Sequence, residues 1–75
     1  MQNTIHLGDA MTASGLKSRY VLQRNEDDWE VWVTIDPDRI SGSSPTRVPR
    51  GDWPHILVEG TALADLVETR RPKFR

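Results

Sequence analysis

Few residues here have the chemistry of a catalyst. His6 and His55 are the only imidazoles, Cys is absent, and the serines fall mostly in segments with loop composition. A nucleophile needs a base within hydrogen-bond reach and a third group to orient that base. Asp52 and His55 offer at most a dyad, and a structural histidine explains the pair more simply. Two histidines as far apart as His6 and His55 make no metal signature, and without Cys there is no thiolate to hold zinc. The acidic pairs Asp27/Asp28 and Asp36/Asp38 raise the question of an oxygen-ligand cation loop. The stretch "DPDRISG" lacks the third acid and closing Glu of such a loop, and Pro37 with turn-forming Asp accounts for it. The expectation is a protein that is not an enzyme and has neither cofactor nor metal.

The bases suggest other chemistry. Arg39, Arg47, Arg50, Arg70, Arg71, Lys73 and Arg75 all lie in the second half, with Trp53 and Phe74 as potential stacking rings. Residues 1–38 carry three bases against seven acids, and residues 39–75 seven bases against four acids. Such polarity suits a chain that shows one partner an acidic surface and another a basic one; ordinary solvated charge is the plainer alternative. The net charge of −1 is wrong for a self-sufficient nucleic-acid binder, whose affinity comes largely from neutralising phosphates. Any nucleic acid would be an auxiliary contact, presented by another protein.

These side chains must be positioned by a small scaffold. Seventy-five residues, 36 % apolar and 28 % charged, suffice for one domain with a modest core and no disulfide staple. The most decisive segment is "SRYVLQRNEDDWEVWVTID", where two alternating runs flank the turn residues "NEDD" and predict a β-hairpin. Alternation puts Trp29, Val31, Val33 and Ile35 on one face and Trp32 on the other. The first face is the core candidate. Trp32 is then an interface anchor, or else it packs against the following loop or pairs with Tyr20 or Leu57 across strands.

Residues 36–54, broken by Pro and Gly, predict a long irregular loop displaying Arg39, Arg47 and Arg50. "HILVE" predicts a third strand beside the hairpin. Thr61 is a helix cap, with Leu63, Leu66 and Val67 on one stripe, Asp65 and Glu68 in water, and Arg70 and Arg71 in the last turn before Pro72. The expected fold is α+β: a three-stranded antiparallel sheet with one C-terminal helix on one face. Residues 18–71 form the body, 1–17 a flexible N-terminal arm and 72–75 a basic tail. Within the arm, Thr4, Ile5, His6 and Leu7 either add as a strand to a partner's sheet or complete the protein's own. Apolar runs are too short for a signal peptide or a membrane span, so the expected setting is the cytosol, and the expected state a monomer.

Taken together, "MQNTIHLGDAM", the hairpin segment "WEVWVTID" and the terminal "RRPKFR" resemble the small transcription regulators with which lytic phages of Xanthomonas take over host RNA polymerase. The resemblance rests on length and layout. It implies binding near the amino-terminal part of the polymerase β′ subunit, inhibition of initiation and read-through of terminators near the RNA exit channel. It would make Thr4, Ile5, His6 and Leu7 the β′ contact, with the basic residues facing nascent RNA or an elongation factor. Anti-CRISPR proteins and nucleic-acid accessory modules are the alternatives.

Overall fold

The computed structural model describes residues 4–26, 28–39 and 44–71. Strands β1 (Thr4–Met11), β2 (Lys17–Asn25), β3 (Asp28–Ile35) and β4 (Thr46–Val48) form one antiparallel sheet in the order β1-β2-β3-β4. A 3-10 helix (Arg50–His55) follows, then a miniature hairpin of β5 (Leu57–Val58) and β6 (Thr61–Ala62), then helix α1 (Leu63–Arg70). The fold is α+β, with the helix on one face of the sheet. It has one more strand in that sheet than expected: β1 takes one of the two readings of the N-terminal segment, and β4 comes from the predicted loop.

The predicted hairpin is β2–β3. Ser18, Tyr20, Leu22 and Arg24 stand opposite Ile35, Val33, Val31 and Trp29. One face therefore collects Leu22, Trp29 and Val31, all buried, and here the core forms. Glu26 adopts φ 55° in the connecting turn. Tight hairpin turns demand positive φ because it matches the right-handed twist of the flanking strands.

Of the readings of the N-terminal segment, the strand completing the protein's own sheet is the one that forms, and the flexible arm is corrected from residue 4 onward. Residues 4–11 are strand β1, paired with β2 from Thr4↔Gln23 to Met11↔Lys17. The hairpin alone cannot bury Leu7, and a further strand supplies both the backbone partners and the core volume that so short a chain needs. The register slips between His6 and Gly8, so Leu7 is the extra residue of a β-bulge and is buried. Gly8, at φ 149°, leaves room for β5: a Cβ there would lie 2.9 Å from Val58 Cγ1.

The loop is corrected as well. Between Pro45 and Pro49, "TRV" forms β4 against Val31–Val33 of β3. The two prolines bracket it because proline can end an edge strand but cannot extend its ladder. Trp53, rather than offering a stacking ring, is buried on the 3-10 helix and donates its indole N–H to the Val48 carbonyl at 3.1 Å. "HILVE" does not join the sheet. Leu57 and Val58 pair with Thr61 and Ala62 around Glu59 (φ 52°) and Gly60 (φ 84°). Thr61 is thereby a strand residue and not a helix cap. Ala62 occupies the cap position without a side-chain bond, and the Leu63 N–H is satisfied by the Ile56 carbonyl at 2.8 Å.

Leu63 and Val67 are buried, with Leu66 packed beside them, as the helical spacing predicts. They close a core with Leu7, Leu22, Trp29, Val31, Val48, Trp53 and Val58. This cluster draws on every element except β6, and among the described residues no layer covers the other face of the sheet. Among the described residues no helix is long and apolar enough to cross a membrane.

Candidate interaction surface

The uncovered face is assembled by register. His6 pairs with Val21, Val21 with Trp32, and Trp32 with Arg47, so these four form one row across all four strands. The row above holds Thr4, Gln23 and Glu30, and the row below Asp9, Arg19 and Thr34. Trp32, partly exposed, lies near the middle. Tyr20 belongs to the opposite face and Leu57 to the small hairpin, so neither is the cross-strand partner of Trp32.

Glu30 organises one half of this surface. Its Oε1 accepts from the Trp32 indole N–H at 3.3 Å, and its Oε2 from Asn25 Nδ2 at 3.2 Å and Arg47 Nη1 at 3.4 Å. The indole is thereby tethered within its own strand while the residue stays partly exposed. Asp9 organises the other half: its Oδ1 meets His6 Nε2 at 3.1 Å and Arg19 Nε at 3.3 Å. The hydrogen bond from His6 and then the bond and charge of Arg19 outweigh partial burial and hold the Asp9 carboxyl below its ordinary 3.8. On the β1–β2 side, in the half organised by Asp9, a shallow depression of about 580 Å³ is lined by Thr4, Ile5, His6, Arg19 and Val21.

The proposed β′ contact residues are divided by the sheet. Thr4 and His6 are exposed, Ile5 packs against the core, and Leu7 lies within it. Of these, His6 shares a face and a row with Trp32. The edge of β1 is also engaged by the body, since Arg70 Nη1 donates to the His6 carbonyl at 3.1 Å.

Of the described basic residues only Arg47 and Arg50 come together, lining one cavity of about 370 Å³ with Asp28, Glu30 and Trp53. Arg47 sits on the open face, and Arg39 is exposed 3.9 Å from Asp36 beyond the end of β3. Arg50 is structural: it pairs with Asp28, donates to the Trp29 carbonyl at 3.0 Å, and lies 4.9 Å above the Trp53 ring. With the Trp29 N–H as the foremost influence and Arg50 next, the Asp28 carboxyl is also held low. Arg70 and exposed Arg71 end the helix, and Lys73, Phe74 and Arg75 lie outside the described residues.

No hydrogen bond joins His55 to Asp52. Among the described residues no cluster of His, Asp or Glu could hold a metal ion.

Sequence reasoning missed Asp9, Arg19, Val21 and Glu30. Glu30 could have been found, because two-residue spacing puts it on the Trp32 side of β3. Arg19 and Val21 follow once the hairpin register is fixed. Asp9 follows only from the bulge at Leu7, for which the sequence offers no signal beyond the adjacent glycine.

Comparison with known proteins finds no matching protein family, no matching curated protein and no matching solved structure. The surface thus defines a class by its geometry alone: a small α+β chain with one sheet face covered by a helix and the other open around a tethered tryptophan.

Proposed function

We propose that this chain is a non-enzymatic, monomeric binding protein that docks on a larger partner through the open face of its sheet. The observation that carries the reading is Trp32, a large aromatic side chain left partly exposed at the middle of an uncovered face. Tryptophan is the residue type most enriched among those that dominate binding energy. On the resemblance to phage transcription regulators, the partner is host bacterial RNA polymerase in the cytosol, engaged near the amino-terminal part of β′. Occupation of that surface would inhibit initiation and promote read-through of terminators. Loss of the free arm changes the expected mode of contact: Thr4 and His6 act as the rim of a preformed face and not as a strand donated to the partner.

The test is capture from bacterial lysate by immobilised full-length chain. Recovery of RNA polymerase, and its loss with Trp32→Ala while the variant stays folded, supports the reading. Removal of residues 1–10 is a poor probe, because it strips β1 from the sheet. Capture of a CRISPR effector complex instead would establish the anti-CRISPR alternative, and capture unaffected by Trp32→Ala would dismiss the open face.

A further inference from the structure

The open face also carries a pattern of donors and acceptors from which the chemistry of its occupant follows, given the reading above that this face is where a partner docks. The indole N–H of Trp32 is spent on Glu30, so the ring contributes apolar surface and little else. Both acids are heavily used: Glu30 accepts from three side chains, and Asp9 accepts two bonds on one oxygen. The bases are not. Arg19 is engaged through Nε and Arg47 through Nη1, and an arginine has five N–H donors in a planar fork matched to carboxylates. Each therefore keeps donors with no protein acceptor among the described residues. The face is apolar in the middle and donor-rich on both sides.

We propose that it binds an acidic, extended segment of a protein partner, with one apolar side chain over Val21 and Trp32 and a carboxylate at each of Arg19 and Arg47. Arg19 and Arg47 lie two strands and one row apart, which at ordinary strand spacing separates them by roughly 12 Å. An extended chain advances about 3.3 Å per residue and turns alternate side chains the same way. Acids at positions one and five, with a large apolar residue at position three, therefore present all three groups to the sheet together. A nucleic acid fits less well. Its evenly charged backbone would run past Asp9 and Glu30, and the chain's net −1 supplies no general attraction for phosphates.

The experiment titrates isotope-labelled full-length protein with a capped peptide bearing Glu, Phe and Glu at alternate positions. The same peptide with Lys in place of Glu, and a short oligouridylate, serve as comparisons. Expected are shifts of the Trp32 indole N–H and of the Val21 and Arg47 amides with the acidic peptide alone. They should be suppressed in about 0.5 M NaCl, where screening acts within a few ångströms. Arg19→Gln and Arg47→Gln, checked for folding by the same spectra, should each weaken binding several-fold. Equal response to the Lys peptide, tighter binding of the oligouridylate, or no response of these groups to the acidic peptide overturns the proposal. Capture sensitive to Trp32→Ala alongside a silent acidic peptide would retain the docking face and discard its acidic occupant; insensitive capture discards both.

Discussion

The two faces of one sheet use tryptophan in opposite ways. Trp29 and Trp32 are three residues apart on β3, yet Trp29 is buried in a core drawn from the whole chain, and Trp32 lies partly exposed among charged neighbours. The covered face is held by packing, and each side chain there excludes water with the help of several others. The open face is held by hydrogen bonds within the surface, centred on Glu30 and Asp9, which arrange the groups without burying them. Removing a group from the first face should cost stability. Removing one from the second should cost contact with something else.

Four predictions sharpen that contrast, beginning with the largest effect. Trp29→Ala and Trp53→Ala should each lose about 3–5 kcal/mol in urea unfolding, a large share of the stability of so small a domain. A loss below about 1 kcal/mol for either would mean that the covered face is not the core. Gly8→Ala should lose about 1–3 kcal/mol, because the new methyl meets Val58 Cγ1 at 2.9 Å in a backbone conformation that favours glycine. In a Val58→Ala background the same change should cost measurably less, and simple additivity would contradict the close approach. Arg70→Ala removes the bond to the His6 carbonyl and should accelerate amide exchange in β1 while leaving β3 unchanged.

Acid sensitivity should be the smallest of these effects. Asp9 has its folded value lowered beneath 3.8, so its contribution is complete above that value and is lost as pH falls through the folded value. Asp9→Asn should therefore lower stability slightly across the neutral region, where the contribution is present, leave the most acid end almost unchanged, and so flatten the fall below about pH 4. An unaltered acid limb would remove His6 and Arg19 as effective partners of Asp9.

What the sequence made legible follows the range of the interactions. The β2–β3 hairpin and the opposed tryptophans could be read because alternation is a property of neighbouring residues. The helix stripe of Leu63, Leu66 and Val67 is local in the same sense. β1 and β4 could not be assigned with equal force: their place depends on pairing with strands distant in the chain, and nothing in "TIHL" or in "TRV" announces a partner. The buried Trp53 followed the same rule, since its fate rests on a bond to Val48 inside a stretch whose prolines read as loop. On the open face, Trp32 and Glu30 were accessible from one strand. Its cross-strand partner Val21 follows from the hairpin register, whereas Arg47, His6 and the bulge-dependent Asp9 required the assembled sheet.

The division of labour between the faces is tested most directly by comparing Trp29→Ala and Trp32→Ala in one experiment that measures both melting and partner capture. The account predicts that Trp32→Ala stays folded, with a loss of about 1 kcal/mol or less, and no longer captures its partner, whereas Trp29→Ala melts far earlier. Equal destabilisation by the two substitutions, with capture by Trp32→Ala intact wherever it remains folded, would contradict it.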